Sequence, residues 1–342
     1  MRKAQKKVEV TKLFCDLLSI DLNYKYQIPR LSRPGFLNKM ESAKKIKTVI
    51  IIAGPTAVGK TSVAIEMAKH FKTEIISADS RQCFKELNIG VARPSEEQLQ
   101  QVQHYFIATH SITEEINAVI FEQYALQKVN ELFLQHDVVI MTGGTGLYSK
   151  AFCEGLDGIP PVDPAIREAI GDQYEKKGLS WLQQQIEEKD PAFYTTGEIK
   201  NPQRLMRALE VIESTGQSIL SFRKEDKAIR NFNIIKIGLA LSKDELLRNI
   251  NNRVDKMIED GLLAEVKQLL KYKKWNALQT VGYSEIVDYF DKKMTLPEAV
   301  ERIKINTRQY AKRQLTWFKK DKEIEWFSPT QIKEMIAFTT RQ

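Results

Sequence analysis

Residues Gly54-Pro55-Thr56-Ala57-Val58-Gly59-Lys60-Thr61 place a glycine, four free positions and then Gly-Lys-Thr in one stretch, a spacing that cradles phosphates. Backbone N–H groups, the dipole of a following helix and the Lys60 ammonium would together hold an anion there. The Thr61 hydroxyl is suited to a magnesium ion, the expected cofactor. Alone, the loop predicts a nucleotide or another phosphate compound. Asp79 is the second reactive group, in Glu74-Ile75-Ile76-Ser77-Ala78-Asp79-Ser80-Arg81-Gln82, an apolar run that ends in polar residues. In doubly wound sheets ligands lie at the carboxyl ends of strands, so Asp79 is expected to face the phosphate loop. A third run, Thr142-Gly143-Gly144-Thr145-Gly146-Leu147-Tyr148, follows another apolar segment. Its paired glycines would permit close backbone approach to a ligand or a positive φ. No Asp or Glu stands at that strand end, which weighs against hydrolysis as the main chemistry.

These groups need a scaffold. Residues 48–53 form a short β-branched run that reads as a buried parallel strand, and Val63, Ala64, Met67 and Ala68 then recur at helical spacing. Second and third strands are expected at 74–82 and 136–141, with a Gly- and Pro-punctuated loop at 88–94 and a helix around 120–133. Gly158, Pro160, Pro161 and Pro164 mark a boundary, after which 164–217 reads as helical and rich in Arg. There Asp163 and Pro164 read as a cap and first position, and Gln203 and Arg207 share a face. A strand returns at 233–239, then an amphipathic helix over 243–270 broken at Gly261, and a tight turn, Thr280-Val281-Gly282-Tyr283-Ser284. A last helix runs from Pro297 to about Lys320. Val300, Ile303, Thr307, Tyr310, Ala311, Gln314, Leu315 and Phe318 form its inner stripe, and Lys304, Arg308 and Lys312 follow at four-residue spacing. The expected fold is α/β, a P-loop NTPase-like parallel sheet flanked by helices. Residues 47–157 and 231–330 would make the core, 158–230 a helical insertion and 1–46 a basic, disordered extension.

The chain has 342 residues and a net charge of +8. Residues 1–39 carry nine Lys or Arg against Glu9, Asp16 and Asp21, leaving a near-neutral body. That segment is expected to be dispensable, the product of an upstream start codon, with a basic arm that grips RNA as the rival reading. The local footprint lies at 301–322, where eight basic residues face two acidic ones, suited to a phosphate backbone. No apolar run approaches the roughly 20 residues of a membrane span. Cys15, Cys83 and Cys153 have no metal-ligand spacing, which points to a reducing, cytoplasmic setting. Four single histidines, His70, His104, His110 and His136, suit packing or solvent better than a metal.

Taken together, these motifs resemble the tRNA dimethylallyltransferase (isopentenyltransferase) family, over roughly 47–327. The resemblance rests on the loop 54–61, Ser77–Gln82, Gly143–Tyr148, Asn201-Pro202-Gln203-Arg204 with Arg207-Ala208-Leu209-Glu210, Val281-Gly282-Tyr283, and Thr307-Arg308-Gln309 with Ala311-Lys312-Arg313-Gln314-Leu315-Thr316-Trp317. It implies transfer of a dimethylallyl group from dimethylallyl diphosphate to N6 of adenosine 37, beside the tRNA anticodon. Asp79 would be the base, Thr145 would orient amine or base, and Arg253 would clamp the diphosphate. The anticodon stem-loop would contact Asp79, Ser80, Arg81, Gln82, Thr145, Arg167, Gln203, Arg204, Leu205, Met206, Arg207, Thr280, Val281, Gly282 and Tyr283. Arg308 and Lys312 on the basic helix would grip its phosphates, and the insertion would hold it from outside. The enzyme is expected to be a cytoplasmic monomer that touches no membrane. Phosphoryl transfer to a small metabolite, prenylation of free AMP or ATP, and a non-catalytic RNA switch are rival readings. Several positions depart from the family: Val91 and Arg93 replace Thr and Lys, Thr109-His110-Ser111-Ile112 replaces an Asp-Pro signature, and Asn249 stands where arginine is common.

Overall fold

The computed structural model describes residues 46–223 and 226–341. The expectations for the N-terminal extension therefore lie outside the described residues, except at Ile46. The body begins with β1 (Thr48–Ala53), the phosphate loop, α1 (Lys60–Phe71) and β2 (Ile75–Ser77). Next come α2 (Glu96–Gln101), β3 (His104–Tyr105), α3 (Ala118–Leu132), β4 (Val138–Gly143) and α4 (Gly146–Glu154). The helical stretch contains α5 (Pro164–Lys189), α6 (Pro191–Thr196) and α7 (Pro202–Thr215). The chain returns through β5 (Asn233–Leu239), α8 (Lys243–Glu259), α9 (Leu262–Leu269), α10 (Tyr283–Phe290) and α11 (Leu296–Phe318). It closes with β6 (Ile324–Phe327) and α12 (Ile332–Arg341).

Six parallel strands form one sheet in the order β3-β2-β4-β1-β5-β6. The strand expected third is thus the fourth. β3 is two residues long and β6 four, too short for either to show a period of two along the sequence. Both faces of the sheet are covered, as a parallel sheet requires. Val49, Ile51, Ile76, Val139 and Met141 enter one core, and Ile50, Ile52, Ile75, Ile140, Ile235 and Ile237 enter the other. Register aligns Ala53 with Gly143 and with Gly238, so the phosphate loop leaves the sheet level with the Gly143-Gly144 turn.

Asp163 caps α5 through Ala165 N–H (2.9 Å), with Pro164 in its first turn. Gly178 is non-helical (φ 74°) and bends that helix. Asn201 caps α7 by accepting from Gln203 and Arg204 N–H. These helices share a cluster of their own, built from Ile170, Leu182, Ile186, Phe193, Leu205, Ala208 and Leu209. The break at Gly261 separates α8 from α9, where the residue adopts φ 102°. No helix among the described residues is long and apolar enough to cross a membrane.

Candidate active site

Gly59 precedes α1 with φ 98°, and no side chain caps that helix, so its first N–H groups point into the loop. Lys60 Nζ donates to the loop's own carbonyls, Gly54 O (3.1 Å) and Pro55 O (2.8 Å). Burial, and then the charge of Arg253, bring the Lys60 pKa down to about 7, while Asp79 acts to raise it. Arg253, from α8, donates to Thr56 Oγ1 (3.1 Å), which sets its guanidinium against the loop as a phosphate clamp requires. Burial lowers its pKa and Asp79 opposes that shift. Asn249, one helical turn before Arg253, donates to Ala57 O (3.2 Å). At this departure the smaller side chain fixes the loop backbone.

Asp79 follows β2. Its Oδ1 accepts from the N–H groups of Arg81 (2.9 Å) and Gln82 (3.2 Å), a local turn that fixes the carboxylate and leaves Oδ2 for another proton. Thr145 lies behind this turn: its Oγ1 accepts from Ser80 N–H (3.0 Å) and meets Ser80 Oγ at 3.3 Å. Thr145 thus holds the segment carrying Asp79. Arg81 Nη1 donates to Asn276 O (2.9 Å), and Gln82 Nε2 to Ala92 O (3.0 Å). Arg93 Nη2 donates to the carbonyls of Phe84, Lys85 and Leu87. At this second departure the arginine braces a loop.

Lys60, Asp79, Arg81, Gln82, Arg93 and Arg253 line one cavity of about 620 Å³, with Thr145 behind its wall. Lys60, Arg81, Arg93, Arg253 and Arg313 supply positive charge, and among the described residues Asp79 is the only carboxylate lining it. Thr61 lines it too, while Val254, Met257, Val281 and Ile303 add apolar wall. Two other reactive groups are excluded. Burial, then the Asp79 charge, pushes the Cys83 thiol up to about 12, and the same two causes push the Tyr310 phenol up to about 12. Neither ionises near neutral pH. Among the described residues no cluster of three His, Cys, Asp or Glu could hold a metal alone.

Gln314 stands in the sequence as part of an inner stripe and of the 311–317 motif, with no role attached. It is 6% exposed; its Oε1 accepts from Thr56 N–H (2.8 Å) and its Nε2 donates to Gly144 O (2.8 Å). One carboxamide from α11 therefore ties the phosphate loop to the end of β4. Its loss would leave the buried Gly144 carbonyl unpaired, at about 1–3 kcal/mol, and free the partly buried Thr56 N–H. The paired glycines answer to packing inside the protein. A Cβ at Gly143 would lie 2.1 Å from Ala78 O, and one at Gly144 would lie 2.2 Å from Gln314 Nε2. Neither has a positive φ.

Other expected RNA contacts are redistributed. Leu205 is 0% exposed and Met206 packs beside it in the helical cluster, so Leu205 cannot touch RNA. Tyr283, also 0% exposed, donates to Glu265 Oε1. Glu265 in turn accepts from Ile89 and Gly90 N–H (2.8 and 3.2 Å). The ring thus secures the 88–94 loop, and in the 280–283 turn Thr280, Val281 and Gly282 line the cavity. Arg167 and Arg207 converge on Glu210 (3.5 and 3.2 Å), and Arg204 pairs with Glu198 at the surface. Exposed pairs contribute at most ~1 kcal/mol, so Arg204 can exchange its partner for a phosphate; Gln203 is exposed beside it. On α11, Lys304 pairs with Asp255, and Arg308 donates to Asn251 Oδ1 (2.8 Å). Those two bind α8; Lys312 and Arg313 are exposed.

Fold and cavity define an α/β enzyme whose phosphate loop opens onto a cavity beside one carboxylate, Asp79. The sequence model of the family described as IPP transferase matches residues 82–321. A tRNA dimethylallyltransferase of Cytophaga hutchinsonii is 47% identical over 292 residues, 85% of this chain and 96% of that protein. One from Christiangramia forsetii is 49% identical over 279 residues, covering 82% and 92%. Among solved structures, the full-length tRNA isopentenylpyrophosphate transferase of Bacillus halodurans superposes with a TM-score of 0.64 at 32% identity, over 86% of this chain and 96% of that one. A eukaryotic dimethylallyltransferase acting on tRNA gives 0.68 at 25% identity, over 86% and 77%. The chain belongs to the IPP transferase family.

Proposed function

We propose that this enzyme transfers the dimethylallyl group of dimethylallyl diphosphate to N6 of the adenosine beside the tRNA anticodon, position 37, and releases diphosphate. The observation that carries this reading is one carboxylate, Asp79, in a cavity whose other charged groups, among the described residues, are cations, next to a phosphate loop. A kinase or hydrolase of this fold class uses acids to hold metal and water; here β4 ends in Thr142-Gly143-Gly144. The adenine amine is a weak nucleophile because its lone pair is delocalised into the ring. As N6 attacks C1 of the donor, the C1–O bond breaks and its electron pair leaves with the diphosphate. The loop N–H groups, Lys60 and Arg253 stabilise the charge that develops there. The N6 proton passes to Asp79 Oδ2, since Oδ1 is held by Arg81 and Gln82 N–H. Thr145 keeps that turn in place through Ser80.

Thr61 is one hydroxyl at the mouth of the loop, so a magnesium ion would be held there chiefly by donor oxygens and water and would add charge neutralisation to the leaving group. The acceptor base must leave the stacked anticodon loop to enter the cavity. Ser80, Arg81, Gln82, Thr280, Val281 and Gly282 would meet it at the cavity, with Arg167, Gln203, Arg204 and Arg207 gripping the stem-loop and Lys312 its phosphates. The enzyme would work as a monomer in the cytoplasm. Asp79→Ala is expected to cut turnover by roughly 10²–10⁴-fold while tRNA affinity stays within a few fold. Steady-state kinetics with a separate filter-binding measurement checks this, and unchanged turnover would remove Asp79 from the role.

A further inference from the structure

We propose that Gln314 sets the length of phosphate chain the donor site accepts, admitting a prenyl diphosphate and rejecting a prenyl triphosphate. The inference rests on the reading of the cavity as a prenyl diphosphate site. In loops of this kind the backbone cradles the inner phosphates, and the lysine reaches from the second phosphate toward the third. The space beside the lysine is therefore what a longer chain needs. Here it is built upon. A methyl placed at Gly144 would lie 2.2 Å from Gln314 Nε2 and 3.6 Å from Lys60 Nζ, so carboxamide and ammonium flank the same spot. Tyr310 lies against the carboxamide and, like Gln314 and Gly144, lines the cavity.

The carboxamide cannot swing aside without consequence. It is buried, and both of its ends are bonded at 2.8 Å, to Thr56 N–H and to Gly144 O. A third phosphate would displace it and strand both backbone groups, and it would also meet a carbonyl oxygen, Gly144 O, where nucleotide sites offer donors. The Thr56 N–H is already spent on Gln314, which restricts the cradle to the N–H groups nearer Lys60. A phosphate chain anchored at its prenyl end thus runs out of room and of donors after two phosphates.

The test compares two donors with the same anchored end, dimethylallyl diphosphate and dimethylallyl triphosphate, in transfer to an anticodon stem-loop RNA at fixed magnesium. In the wild-type enzyme kcat/KM for the triphosphate should be lower by about tenfold or more, the scale of stranding buried polar groups. Gln314→Ala should shrink that ratio by about tenfold, and the milder Gln314→Asn should shrink it less, even where overall activity falls. If Gln314→Ala does not fold, the wild-type ratio and the Asn variant still decide. Equal use of both donors by the wild type, or a ratio unchanged in the shortened variants, overturns the proposal. Transfer from neither donor by the wild type would instead defeat the underlying reading of the cavity, and the proposal with it.

Discussion

At the scale of single residues, the cavity places one carboxylate among cations, and the charge of one of those cations is itself conditional. Lys60 is the clearest case. Buried beside Arg253, its ammonium is held near pKa 7 in the absence of an anion. A diphosphate adds negative charge beside it and raises that pKa, so the protonated lysine is the form that binds. The sign follows: below pH 7 the lysine is already charged, and above it binding must take up a proton. The donor KM should therefore rise between pH 7 and 9, by up to about tenfold per unit. Lys60→Met should bind the donor weakly and lose that slope. A flat wild-type KM across this range would show that Lys60 is charged throughout. The loop residues were legible because strand, loop and helix are contiguous. The role of Gln314 was not, because its partner Thr56 lies 258 positions away and nothing local distinguishes a clamp from another polar member of the stripe, such as Thr307.

At the scale of elements, α11 has two jobs that its charge count alone merges. Its inner face carries Ile303, Ala311, Gln314 and Phe318 into the body. Of the basic residues spaced by four, Lys304 and Arg308 are turned to α8 by Asp255 and Asn251. Lys312 remains on the outer surface, while Arg313, though exposed, lines the cavity and stands 5.9 Å from the centre of the Tyr310 ring. Changing Lys312 to Ala should weaken tRNA binding and flatten its salt dependence by about one charge, since each phosphate no longer neutralised lowers the slope by about one. Arg308→Ala should leave the slope alone and instead loosen the packing of α8 on α11. Binding isotherms over a salt series separate the two. A slope unmoved by the Lys312 change would take this face away from the RNA.

At the scale of the whole molecule, a parallel sheet carries the phosphate loop and Asp79, and a helical cluster with its own core is inserted in sequence between β4 and β5. The sequence disclosed four of the six strands, because their β-branched runs are long enough to read. It hid β3 and β6, whose pairing depends on neighbours already in place. It also misled over Leu205 and Tyr283: a motif marks residues that matter, without saying whether they touch a ligand or hold the groups that do. Leu205 fills the α5–α7 core at 0% exposure, so Leu205→Ala should cost about 2–5 kcal/mol. Its expected signature is lost tRNA affinity with donor binding retained, measured alongside thermal unfolding; wild-type stability in that variant would contradict the packing described.

The central claim is that the phosphates in this loop leave rather than transfer. Incubation of the enzyme with tRNA, magnesium and either dimethylallyl diphosphate labelled in its prenyl carbons or ATP labelled in its terminal phosphate tests it directly. The account predicts label in an N6-modified adenosine of the tRNA from the prenyl donor and none from ATP. A phosphorylated product, or tRNA left unlabelled by the prenyl donor, would contradict it.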